Sequence, residues 1–213
     1  MGFLENSFLK YFGIRNIEGP LRLDKELFNV FLSSAEDPLP DFQGPGHLKL
    51  RRGKDHPRYG RWVYAFAKFY KPDIIVEVGT YAGGTAVGWA RALKENNKGR
   101  LICIDNDAYT AGTYPTVTKR NLQEVGLEES RIDLRCGDSK EIVPKIAQEL
   151  RRNVDIYLVD GDHHYEDALA DIENGLPMLR PRGFILVHDV DDKRFEWCIL
   201  RFIRKHLGII KIA

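Results

Sequence analysis

Asp73-Ile74-Ile75-Val76-Glu77-Val78-Gly79-Thr80-Tyr81-Ala82-Gly83-Gly84-Thr85 decides the fold of this chain. An apolar run carries a single acid, Glu77, and passes into a turn holding Gly79, Gly83 and Gly84. A short, nearly continuous apolar run suits a strand buried on both faces. A glycine-rich turn lets the backbone come close to a ligand, and Thr85 opens a helix whose free N–H groups face it. The stretch therefore predicts a nucleoside-sized pocket at a strand-to-helix turn.

The same alternation continues outward. Helices are expected over 58–70, 85–96, 117–125, 139–151, 165–178 and 194–205. Strands are expected over 74–78, 101–105, 132–136, 155–159, 183–188 and 209–213. Apolar strands separated by helices predict an α/β fold: a Rossmann-like, doubly wound, mostly parallel sheet with helices on both faces. Residues 57–213 form that domain. Residues 1–56 read as a helical and irregular extension, with apolar positions from Phe3 to Phe12 and from Leu27 to Leu32, then a linker at Pro38, Pro40, Gly44, Pro45 and Gly46. Packing, a lid and a subunit contact all remain open for it.

Composition narrows the function classes. The 213 residues carry a net charge of +1, which leaves no electrostatic footprint for nucleic acid or an anionic membrane. Cys103, Cys136 and Cys198 are an odd number without metal-ligand spacing, so neither a disulfide scaffold nor structural zinc is expected. Met1–Ser7 lacks a basic n-region, and no apolar run approaches the length of a membrane span. A cytoplasmic protein is expected.

In a doubly wound sheet ligands bind beyond the carboxyl ends of the strands. Asp105 ends the second strand, where a carboxylate can accept from both hydroxyls of a ribose. Gly137-Asp138-Ser139 follows the third strand. The dinucleotide fingerprint G-x-G-x-x-G is missing; the pattern is E-x-G-x-x-x-G. An acid before the first glycine would oppose a pyrophosphate and suits a cationic ligand. S-adenosylmethionine, with a sulfonium, an ammonium and one carboxylate, fits that charge better than NAD.

The chain at this point resembles the class I S-adenosylmethionine-dependent methyltransferases, over residues 57–210. More narrowly it is similar to small-molecule O-methyltransferases of the catechol and macrocin O-methyltransferase type. The segments that carry the likeness are EVGTYAGGTAV, ICIDND, CGDSKEIVPKI and VDGDHHYEDALADIENGLPMLRPRGFILVHDV. The resemblance implies that Glu77, Gly79, Thr80, Tyr81 and Gly83 surround the methionine end of the donor, with Thr85 at its carboxylate. It implies that Asp105 holds the ribose and that Asp138 and Ser139 read the adenine edge, with Asp160 nearby. A plain helix N-cap is the alternative for Asp138-Ser139.

Methyl transfer to a hydroxyl needs in-line approach and a deprotonated oxygen. The catechol-type enzymes hold a magnesium ion on one acid ending the fourth strand and two ligands ending the fifth. Here the matching positions are Asp160, His188 and Asp189. The histidine departs from that pattern and favours manganese, iron or zinc over magnesium. His163 falls where those enzymes carry a basic residue and is the candidate general base, with Asp162 orienting it; a turn-stabilising histidine is the alternative. The expected substrate is a small hydroxylated molecule. The sheet edge and the apolar start of the chain point to a homo-oligomer. Rival readings are a macromolecule methyltransferase, a metal enzyme like the cephalosporin hydroxylases, and a silent cofactor-binding protein.

Overall fold

The structure, a computed structural model, describes residues 56–110, 112–162 and 164–188. The extension over 1–55, His163, Asp189, the helix expected over 194–205 and the strand expected over 209–213 lie outside these residues.

The described chain alternates helix and strand: α1 (His56–Tyr70), β1 (Ile74–Val78), α2 (Gly84–Glu95), β2 (Arg100–Asp105), α3 (Thr116–Val125), β3 (Ile132–Cys136), α4 (Ser139–Leu150), β4 (Val154–Val159), α5 (Tyr165–Gly175) and β5 (Leu179–Val187). The five strands are parallel in the order β3-β2-β1-β4-β5. The order reverses direction between β1 and β4, which opens a crevice at their carboxyl ends.

Strand periodicity sorts the core into two layers. Ile75, Leu101, Cys103, Ile156 and Leu158 pack against α1, α2 and α3, through Trp62, Phe66, Trp89, Leu93 and Leu122. Val76, Val78, Ile102, Ile104, Tyr157 and Val159 face α4 and α5, through Val143, Ile146, Ala168 and Ile172. Each large apolar side chain buried this way contributes about 1.5–3 kcal/mol. Both faces of the sheet are thus covered, as the unbroken apolar strands predict.

Two boundaries differ from the sequence reading by more than two residues. The helix expected to run from residue 165 to 178 ends at Gly175 and tightens into a 3-10 turn at Leu176–Met178, where Pro177 has no N–H to continue the helix. β5 starts at Leu179, four residues early, and its pairing with β4 is irregular. Val154 pairs Leu179, yet Ile156 pairs Phe184, with Arg182 at φ 65° in the bulge between. No helix among the described residues is long and apolar enough to cross a membrane.

Candidate functional site

A cavity of about 280 Å³ sits at the carboxyl ends of β1, β2, β3 and β4. Its walls are the turns that follow these strands, because each parallel strand hands over to its helix at this end of the sheet. Gly79 and Tyr81 line it, with Asp105, Asp138, Ser139 and Asp160, all singled out in the sequence. Glu77, Thr80, Gly83 and Thr85 are not in its lining.

The turn after β1 is held by main chain. Gly79 N–H and Thr80 N–H both donate to the Ile104 carbonyl, at 2.9 and 3.3 Å. Asp160 N–H donates to the Val78 carbonyl at 2.9 Å. Gly79 has φ +83°, and a Cβ there would stand 1.9 Å from the Asp160 carbonyl oxygen. Glycine is required at this position by the approach of another stretch of backbone.

Asp105 anchors the next wall. Its Oδ2 accepts from Tyr81 N–H at 2.7 Å and its Oδ1 from Asp107 N–H at 2.8 Å. A carboxylate has about four lone-pair positions, so these two bonds leave acceptor capacity on both oxygens. Burial pushes the Asp105 carboxyl above the usual aspartate range, and the two amide bonds pull it back.

Glu77, expected at the methionine end of the donor, lies beneath the turn. It is fully buried on the α2 side of β1, where Oε1 accepts from the Thr85 hydroxyl at 2.8 Å and Oε2 from Trp89 Nε1–H at 2.7 Å. Thr80 is buried beside it. Burial pushes the Glu77 carboxyl up to about 8; the hydrogen bond from Thr85 opposes this and the charge of Asp160 adds to it. Glu77 therefore fastens α2 to β1 beneath the turn, and the Thr85 hydroxyl is engaged with it.

Asp138 is the N-cap of α4 and accepts from Lys140 N–H at 2.9 Å. Capping and lining the cavity are compatible, since one carboxyl oxygen makes the cap. Asp160 and His188 end neighbouring strands and meet, Oδ1 to Nδ1, at 2.9 Å; both are largely buried. Of the three positions expected to bind a metal, the structure thus brings these two together, and Asp189 lies outside the described residues. Asp162, expected to orient His163, contacts His164: Oδ1 accepts from its N–H at 2.9 Å and lies 2.5 Å from its Nδ1. His163 itself lies outside the described residues.

The carboxyl oxygens and ring nitrogen of Asp162, Asp167 and His164 fall within 4.8 Å of one another. Asp167 pairs with Lys140, and Asp162 with His164. These mutual contacts account for the grouping, and we assign no ion to it. Lys140, Asp162, Asp167 and Tyr109 line the cavity without having been singled out for the donor pocket by sequence. Asp167 carried a readable signal, an acid in the first turn of the helix after β4. The 80% exposed Tyr109 carried none.

The lining is acidic. Asp105, Asp138, Asp160, Asp162 and Asp167 face one ammonium group, that of Lys140. Such a cavity repels a pyrophosphate and suits a ligand bearing positive charge.

A family model described as a methyltransferase domain matches residues 76–190, more than half of the chain. The chain is similar to a catechol O-methyltransferase of Niastella koreensis, 31% identical over 106 residues, which are 50% of this chain and 45% of that protein. It is also similar to an O-methyltransferase, named as putative, of Mycobacterium sp. strain JLS, 26% identical over 79% of this chain and 72% of that one. The chain thus spans less than half of the first relative's length. Among solved structures, an O-methyltransferase of Streptomyces achromogenes involved in tomaymycin synthesis, in complex with SAM, superimposes with a TM-score of 0.57 at 20% identity, over 89% of this chain and 81% of that one. An O-methyltransferase of Bacillus cereus in complex with SAH gives 0.56 at 18% identity, over 94% and 84%. These two likenesses fix the fold, and the family match goes further: the chain belongs to the methyltransferase-domain family.

Proposed function

We propose that the protein transfers a methyl group from S-adenosylmethionine to a hydroxyl of a small molecule by direct displacement. The observation that carries this reading is the acidic cavity at the β1–β4 switch point, with five carboxylates and one lysine in its lining. The names of the relatives, O-methyltransferases, point the same way.

The residues fit the donor. Asp105 keeps acceptor capacity on both carboxyl oxygens, as a ribose diol needs. Asp138 and Ser139 stand at the adenine edge, where the Asp138 oxygen outside the cap can accept from an exocyclic amine. Gly79 and Tyr81 serve the methionine end. Glu77 and Thr85 support this end from behind, by fixing α2. When bound, the donor supplies an electrophilic methyl group on a sulfonium. The chain's task is to align it, exclude water and take the proton of the acceptor hydroxyl.

His163 is the base in this reading. Asp160, His188 and Asp189 are the residues that would hold a divalent cation, which would lower the pKa of the acceptor hydroxyl. A carboxylate beside an imidazole suits manganese, iron or zinc better than magnesium. Residues 57–213 act as the catalytic domain, with 1–56 at the acceptor or at a second copy of the chain.

The test is calorimetry with S-adenosylhomocysteine, followed by turnover on hydroxylated acceptors. Wild type is expected to bind, and Asp105→Ala to bind at least tenfold more weakly, as loss of charge-assisted bonds predicts. His163→Ala is expected to lose turnover while keeping affinity for the product. No binding by wild type at millimolar ligand sinks the donor reading, and unchanged turnover in His163→Ala rejects the base.

A further inference from the structure

Asp171 lies behind the cavity wall and has no part in the chemistry proposed above. It is 1% exposed, on the inner face of α5. The Ser139 side chain, at the start of α4, lies near enough to its carboxyl to lower its pKa by hydrogen bonding. A Cβ on Gly161, after β4, would stand 3.1 Å from its Oδ2, tighter than ordinary contact, so the carboxyl is seated close against this glycine. Oδ1 is buried and has no hydrogen-bond partner among the described residues. The Asp171 carbonyl accepts from the Tyr157 hydroxyl of β4 at 2.9 Å. Asp138, Asp167 and Lys140 supply the surrounding charge.

Ser139 and Gly161 both line the cavity, from two different turns. A buried, incompletely satisfied carboxyl costs stability, and a purely structural position would be better filled by an apolar residue. Here the carboxyl spans the gap between two walls that share no strand pairing at this point, since β3 and β4 are separated in the sheet by β2 and β1. We infer that Asp171 is a positioning residue for the donor: clasped by Ser139 and seated against Gly161, it sets the separation of the two walls that receive the adenosine end. This rests on the donor reading given above. Burial, which pushes the Asp171 carboxyl up to about 6, accords with a group kept in place despite its cost.

The role predicts coupling between Asp171 and Ser139 that a general loss of stability would not produce. Affinity for S-adenosylhomocysteine is measured by calorimetry in wild type, Ser139→Ala, Asp171→Ala, Asp171→Asn and the Ser139→Ala/Asp171→Ala double variant, with thermal melts alongside. Each alanine variant is expected to lose affinity about tenfold, the double variant no more than the weaker single, and Asp171→Asn, whose amide oxygen can still accept from Ser139, to stay within about threefold of wild type. If Asp171→Ala does not fold, Asp171→Leu, similar in size and without an acceptor, takes its place and is held to the same outcomes. Wild-type affinity in the Asp171 variant, or losses that simply multiply, overturns the role of Asp171 alone. Absence of wild-type binding overturns the donor reading and this role together.

Discussion

Glu77 shows how one side chain can be legible in kind and not in place. Its position before the first glycine is plain in the sequence, yet its carboxyl is buried against Thr85 and Trp89 and is absent from the cavity lining. Side chains alternate along a strand, so Glu77 shares its face with Ile75, and that face meets α2. Alternation alone cannot say which face carries which helix, and that choice decided the outcome. A carboxyl whose pKa is higher folded than unfolded binds its proton more tightly in the native state. Stability should therefore fall as pH rises from about 4.5 to about 8. Glu77→Gln removes this slope, since the amide oxygen can accept from Trp89 while the Thr85 hydroxyl turns to accept from the amide nitrogen. The variant is expected to melt below wild type or level with it at pH 5, and several degrees above it at pH 9. Parallel melting curves for the two proteins across that range would contradict this account. Asp105 and Asp160, by contrast, were legible in place as well, because the ends of strands are set by the apolar runs themselves.

Among the elements, nine of the ten described helices and strands begin within two residues of the positions that hydrophobic periodicity predicts, and the exception, β5, has a physical reason. The bulge at Arg180–Gly183 lets four residues of β5 span one residue of β4, and such irregularity leaves no periodic trace. The Asp162–His164 contact was hidden for a similar cause: it depends on local backbone angles, not on spacing. The joint between β1 and β4 is the element-scale feature most exposed to mutation. Gly79→Ala would place a methyl group 1.9 Å from the Asp160 carbonyl oxygen at φ +83°. Neither side of that contact is a side chain that can rotate away, so the two strand ends must part. A loss on the order of 2–4 kcal/mol is expected in denaturant unfolding, together with loss of S-adenosylhomocysteine binding. A variant as stable as wild type with intact affinity would show that the turn relaxes freely.

On the scale of the whole molecule, the charge is nearly balanced at +1, while the cavity concentrates carboxylates. Composition gives no sign of a basic nucleic-acid surface, but it could not reveal a local acidic field, because the five aspartates come from the carboxyl end of β2, the turns after β3 and β4 and the first turn of α5. That field predicts a difference between two ligands of almost the same shape. S-adenosylmethionine carries the sulfonium charge and S-adenosylhomocysteine does not. Raising salt from about 50 to about 500 mM should weaken the first by roughly threefold and barely affect the second. Equal salt responses in calorimetry would remove the electrostatic part of the proposal. The meeting of Gly79 with Asp160 has a consequence for descent as well. Apart from the glycine it demands at 79, a joint made of main chain is indifferent to the letters written around it. On the proposed reading, sequences that inherit it are free to rewrite the segments around an acceptor while the seat of the donor stays in register, so new substrates can be acquired without relearning the old half of the reaction.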